Sequence, residues 1–266
     1  MVNSLDYFLI EGTGLIFAGL TQGVTGFGIG LVAVGVLLIY HPPTVVIPSL
    51  VGVYIFTSIV LLYEHRVSIN KKMLEDNLLL SFPSLILALL GMVGGSFLLK
   101  TISPKSLTLM IGIFVSLFSL YNFFRTALNN KFAFAGGLTN QNRKKERMLC
   151  YSASSAGGLL EGLLGIGGPP IVIYLVYKRL DSKLFIATLS AFFLWVNPLR
   201  LIHYSILGLV DMEVIKLTLF IFIFVTIGLL LGILIRKTLL TERKFRMITV
   251  TLLFVIGMSL IFKSFQ

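Results

Sequence analysis

Apolar runs of about 18 residues or more recur along nearly the whole of this chain, and each is long enough to cross a bilayer as a helix. This constrains the fold before any motif is considered. In lipid, backbone polar groups need internal partners, so only helices and closed barrels span. A barrel would show short alternating segments, whereas these stretches are continuously apolar. Only 12% of residues are charged, against about 25% in a soluble domain. The expected class is all-α, a polytopic membrane protein whose first partner is the lipid bilayer. The net charge of +11 then reflects Lys and Arg in cytoplasmic loops, and no nucleic-acid partner is expected. Cys150 is the only cysteine, which excludes an intramolecular disulfide and argues against a thiolate metal site. Met1–Glu11 lacks the basic stretch of a cleaved signal peptide, so the first apolar segment is expected to be retained.

Two of the apolar segments are too long for one ordinary crossing and are broken by glycines. Segment 1, about 7–40, contains Gly19-Leu-Thr-Gln-Gly23-Val-Thr-Gly26-Phe-Gly28-Ile-Gly30. Segment 5, about 148–177, contains Gly158-Leu-Leu-Glu-Gly162-Leu-Leu-Gly165-Ile-Gly167-Gly168-Pro169-Pro170. Gly19, Gly23, Gly26 and Gly28 each meet a glycine 139 positions later. The other segments are about 45–63, 77–99, 106–124, 184–204, 214–235 and 245–262. Gly91, Gly95 and Lys100 match Gly228, Gly232 and Lys237 at an offset of 137. The chain is therefore a repeat of four plus four segments. Residues 1–128 form the first transmembrane repeat, 129–147 a basic cytoplasmic linker and 148–266 the second repeat. Pro104 suits the first turn of the fourth segment.

Basic residues decide how the broken segments cross. If all eight segments cross simply, the 22 Lys and Arg divide almost evenly between the two sides. If segments 1 and 5 are re-entrant hairpins of two half-helices, only Lys100, Lys105, Arg200, Lys216 and Lys263 fall outside. The positive-inside rule favours the hairpins. Each repeat then makes three crossings, so the repeats are inverted about an axis in the membrane plane, with both termini outside. The expected fold is two inverted repeats, each a broken helical hairpin plus three transmembrane helices, in the cell (inner or plasma) membrane.

Irregular backbone at membrane depth must be buried in protein or line a cavity. The second half-helix of each hairpin starts just after the glycines, so its free N–H groups and positive dipole end suit an anion. Glycine lets a ligand approach the backbone closely. For Gly12, Gly35, Gly91, Gly95, Gly228 and Gly232 the simpler reading is close helix packing.

The motifs TQGVTGFGIG and EGLLGIGGPP, the two-fold repeat with its basic linker, and Asn197-Pro-Leu-Arg200 followed by His203-Tyr204 together resemble the sulfite exporter TauE/SafE family of membrane permeases. The resemblance covers nearly the whole chain. It implies transport of small sulfur-containing anions such as sulfite or sulfonates.

The candidate substrate-binding residues are Thr21, Gln22, Gly23, Thr25, Gly26 and Gly28 at the first break. At the second they are Glu161, Gly162, Gly165, Gly167, Gly168 and Pro169, joined by Asn197 and Arg200 on segment 6. Thr21, Gln22 and Thr25 offer neutral donors. Glu161, the counterpart of Gln22, either carries a coupling proton, bonds the hairpin turn or reaches the cytoplasmic surface. Arg200 either binds an oxyanion bidentately or snorkels to the interface. Asn197 either satisfies the carbonyl freed by Pro198 or touches substrate. Ser190 and Trp195, with Ser49, Tyr54, Thr57 and Ser58, can line the same cavity. His41, His65 and His203 read as isolated interfacial histidines.

No catalytic, metal or cofactor constellation is spaced for use, so no enzyme and no cofactor is expected. The chain reads as a secondary permease for a small anion, bound near the midplane between two glycine-rich hairpin tips, with alternating access and possible proton coupling. An anion channel of the same architecture is the alternative, and an intramembrane enzyme a more remote one. The sequence leaves the oligomeric state open.

Overall fold

A computed structural model describes residues 4–66, 77–127, 143–178, 180, 182–238 and 242–265. Most of the linker at 129–147 and the charged loop carrying Lys71 and Lys72 lie outside the described residues. Among the described residues ten α-helices run in chain order: α1 Ser4–Thr25, α2 Ile29–Leu37, α3 Pro43–Glu64, α4 Phe82–Thr101, α5 Pro104–Ala127, α6 Arg143–Leu164, α7 Gly168–Tyr177, α8 Ser182–Ile206, α9 Met212–Thr238 and α10 Glu242–Lys263. A short 3₁₀ turn, Leu78–Leu80, precedes α4. Prolines sit where helices begin: Pro43 opens α3, Pro104 opens α5, and Pro169 and Pro170 lie in the first turn of α7. There the missing N–H costs nothing and φ is already set for a helix.

Five described helical stretches are long and apolar enough to cross a membrane: Pro43–Glu64, Phe82–Thr101, Pro104–Tyr121, Ser182–Ile206 and Met212–Arg236. They expose large apolar side chains, among them Phe82, Leu90 and Phe97 on α4 and Leu219, Ile223, Leu230 and Leu234 on α9. Apolar surface on this scale needs a hydrocarbon neighbour, and the protein is a multi-pass membrane protein.

Both over-long segments are interrupted. Residues 26–28 separate α1 from α2, and 165–167 separate α6 from α7. The arms are unequal, with 22 and 9 residues in the first hairpin and 22 and 10 in the second. At 1.5 Å per residue, α2 and α7 are each about 14 Å long, half a bilayer. Two half-helices are expected in each hairpin, and only the second arm of each pair is that short. The first arm has 22 residues in each pair, and neither α1 nor α6 is among the described stretches long and apolar enough to cross.

The helices form two compact units that draw on both sequence repeats. One contains α1, α2, α3 to Val53, α5, α9 and α10; the other contains α3 from Tyr54, then α4, α6, α7 and α8. In the first unit α1 packs on α9, where a methyl added at Gly23 would lie 2.5 Å from the Leu229 carbonyl oxygen and one at Gly232 2.5 Å from that of Leu20. Gly19 and Gly228 meet backbone in the same way, and α5 meets α10 at Gly112 and Gly257. In the second unit α4 packs on α6: Gly91 and Gly95 face the backbone of Ser155 and Leu159, while Gly158 and Gly162 face Ala88 and Met92. Small residues at four-residue spacing bring backbones into direct contact, which strengthens dispersion where lipid offers no hydrophobic drive. The packing role of Gly91, Gly95, Gly228 and Gly232 is as expected. Gly12, against Phe224, and Gly35, against Ile256, also pack closely.

Candidate functional site

The first break is organised by its own side chains. Gly26 ends α1 at φ 78° and Gly28 caps α2 at φ 105°, both left-handed conformations that a Cβ disfavours. Gly26 N–H donates to the Gln22 carbonyl at 2.8 Å. The Gln22 side chain then spans the gap: Nε2 donates to the Gly26 carbonyl and Oε1 accepts from Ile29 N–H, each at 3.3 Å. Thr21 Oγ1 donates to the Phe17 carbonyl at 2.8 Å, and Thr25 Oγ1 bonds the carbonyls of Thr21 and Phe27. The three neutral donors expected to face substrate are therefore engaged with local backbone. Gly23 is engaged with the α9 backbone.

The second break follows the same outline, although its N-cap glycine, Gly167, is right-handed at φ −71° where Gly28 is left-handed. Gly165 ends α6 at φ 69° and its N–H reaches the Glu161 carbonyl at 3.2 Å. Glu161 occupies the Gln22 role, its Oε2 accepting from Gly167 N–H at 2.8 Å at the start of α7. A carboxylate there complements the positive end of the helix. Pro169 and Pro170 carry no N–H, and Gly167 N–H is used by Glu161. The row of free donors expected at this helix start is thus reduced mainly to Gly168, where an added Cβ would meet nothing within 4 Å. Gly162 packs against Met92, and Gly167 lies against the Gly157 carbonyl and the Glu161 side chain.

The second break also carries an ion pair. Arg200, on α8, is fully buried and places Nη1 on Glu161 Oε1. The same Nη1 donates to the Glu161 backbone carbonyl at 3.0 Å. Neither snorkelling of Arg200 nor escape of Glu161 to the surface is therefore observed. Glu161 bonds the turn and holds the guanidinium together. Tyr54 and Tyr204 flank the charge, with their ring centroids 5.3 and 5.4 Å from the guanidinium carbon. Both tyrosines also pin the break: Tyr204 donates to the Gly162 carbonyl at 2.7 Å and Tyr54 to the Gly165 carbonyl at 2.8 Å. Those carbonyls have lost their helical partners, and buried ones need replacements.

Two groups are left over. Arg200 Nε and Nη2 are buried without a protein partner, and so are both side-chain atoms of Asn197. Asn197 therefore does not satisfy a carbonyl freed by Pro198. It lies one turn before Arg200, on the same face of α8. Buried polar atoms without partners are rare in folded proteins. Such a set beside a helix break is suited to holding a polar ligand.

Sequence reasoning brought Glu161 and Arg200 forward separately but did not pair them. It took Tyr54 only as a cavity-lining residue and gave Tyr204 no separate role. A signal was present, since Pro48 and Tyr54 on α3 have the same spacing as Pro198 and Tyr204 on α8. Ser190, Thr57 and Ser58 are buried, as is Ser49, but Trp195 is 44% exposed. The histidines are not isolated. His41 Nε2 lies 3.1 Å from Glu11 Oε1, His65 Nδ1 lies 2.8 Å from the Leu61 carbonyl, and His203 packs edge-on against Phe97.

Comparison with known proteins adds one match. The family model described as sulfite exporter TauE/SafE matches residues 12–260. No curated protein and no solved structure matches the chain.

Proposed function

Because the chain belongs to the sulfite exporter TauE/SafE family, we propose that it is a secondary permease for a small sulfur-containing anion, namely sulfite, a sulfonate or another organosulfur anion. The single observation that carries this reading is the buried Arg200 guanidinium at the second break, held at one nitrogen by Glu161 and without a protein partner at the other two. A guanidinium binds oxyanions through paired N–H groups. Lipid-embedded ionisable residues mark transport pathways.

Glu161 supplies a means of coupling. As a carboxylate it competes with the substrate for Arg200. A proton on Glu161 removes that competition and leaves the guanidinium to the anion, so proton and anion would move together. Alternating access around this break is the mechanism we favour. The repeat in the sequence extends the proposal to the first break, where Gln22 caps α2 as Glu161 caps α7 but carries no charge to titrate. We place the protein in the cell membrane with both termini outside.

A melting screen of the purified protein against sulfite, sulfate, thiosulfate, taurine and simple carboxylates tests the anion reading. Sulfur oxyanions are expected to raise the melting temperature. Stabilisation by cations or neutral sugars but by no anion would defeat it.

A further inference from the structure

The unpartnered atoms at the second break have a definite geometry. Nε and Nη2 share one edge of the planar guanidinium, and it is this whole edge that lacks a protein partner, while Nη1 is held by Glu161. Two parallel N–H groups on one edge match two oxygens of a carboxylate, sulfonate or sulfite. Asn197 adds both a donor and an acceptor, and neither has a protein partner. A bare oxyanion uses donors only, so the Asn197 Oδ1 acceptor would stay orphaned beside it. A ligand that also carries an O–H or N–H group satisfies every atom.

Charge narrows the ligand further. With the proton on Glu161 that the coupling scheme requires, Arg200 balances a bound monoanion, whereas a dianion leaves one net negative charge in the site. Each uncompensated buried charge is costly. Building on the sulfur-anion reading of this break, we infer that the site selects a monoanionic oxyanion bearing a hydrogen-bond donor. The Arg200 side edge takes two oxygens, and Asn197 reads the donor. Hydrogen sulfite and hydroxyalkylsulfonates belong to this class.

The test compares binding of 2-hydroxyethanesulfonate with ethanesulfonate, which differs by one hydroxyl, by calorimetry on the purified wild-type protein at pH 7, with sulfite and sulfate measured alongside. The hydroxylated ligand is expected to bind about tenfold more tightly, the equivalent of one buried hydrogen bond no longer left unmade. Asn197→Leu should bring that ratio close to one, and Arg200→Lys should weaken both sulfonates by a similar factor. Equal wild-type affinities, a ratio that survives Asn197→Leu, or sulfate binding more tightly than either sulfonate would overturn the inference while leaving the sulfur-anion reading intact. Binding of sulfite but of neither sulfonate overturns it too. No binding of any of the four removes the proposed function with it. The wild-type ratio needs no variant to fold.

Discussion

Replacing Glu161 with glutamine isolates the charge in the buried pair from its geometry. Gln22 at the matching position shows that an amide can cap the second arm, its Oε1 accepting from Ile29 N–H. Glu161→Gln can therefore keep the bond to Gly167 N–H and still fill the same volume. What it removes is the carboxylate paired with the fully buried Arg200 guanidinium. Breaking a buried pair from one side costs about 3–5 kcal/mol, because the remaining charge stays unpaired in a low dielectric. At about 2–4 °C per kcal/mol, the apparent melting temperature should fall by roughly 6–20 °C. Removing both charges in Glu161→Gln with Arg200→Gln should recover most of this loss, since neutral replacement of a whole pair is often close to neutral. The chain provides its own reporter: Cys150 is the single cysteine, and it is buried on α6 within the same unit. A thiol-reactive fluorogenic dye therefore follows the opening of that unit. A Glu161→Gln protein that melts within 2 °C of the wild type, or a double variant no better than the single, would refute the claim that this pair holds the break together.

The α4–α6 contact makes a sharp contrast within one helix. Gly95→Ala drives a methyl into the Leu159 carbonyl and should cost about 1–3 kcal/mol, whereas Gly94→Ala meets nothing within 4 Å and should be neutral or stabilising by up to about 1 kcal/mol; the same dye melt separates them. Gly165 has φ 69°, so Gly165→Val should lose about 1–2 kcal/mol, and Gly165→Asn, whose side chain tolerates the left-handed region, clearly less, as read by melting temperature. Tyr204→Phe removes the donor to the buried Gly162 carbonyl and should destabilise by about 1–3 kcal/mol, and it should also raise the KM for anion uptake by loosening the break.

Much of the architecture could be read in the sequence because its causes are local. A glycine that must adopt positive φ announces a break, and Gly26 and Gly165 occupy matched positions in segments too long to cross once. Glycines at four-residue spacing announce close packing, and Gly91, Gly95, Gly228 and Gly232 pack that way. Partner choice was not legible. Helix α1 meets α9 and α4 meets α6 across large sequence separations, and nothing in a glycine pair names the helix it will face. For this reason Gly23 and Gly162, grouped with the breaks by proximity in sequence, turn out to press on the backbones of α9 and α4. The pairing of Arg200 with Glu161 was hidden by the charge count itself, which treats every basic residue as loop-borne and takes no account of a buried carboxylate partner. Thr21 and Thr25 look like free donors in sequence, but hydroxyls on helices commonly turn back to the carbonyl four residues earlier, as both do here.

The central claim is that Arg200 at the second break binds the transported anion. Counterflow of labelled sulfite in proteoliposomes addresses it most directly, comparing the wild-type protein with Arg200→Lys at matched incorporation. The account predicts exchange accelerated by unlabelled sulfite on the opposite side, and loss of most of that exchange in Arg200→Lys, where the charge remains but the bidentate edge is gone. Flux with no trans-acceleration, or full exchange in the lysine variant, would contradict it.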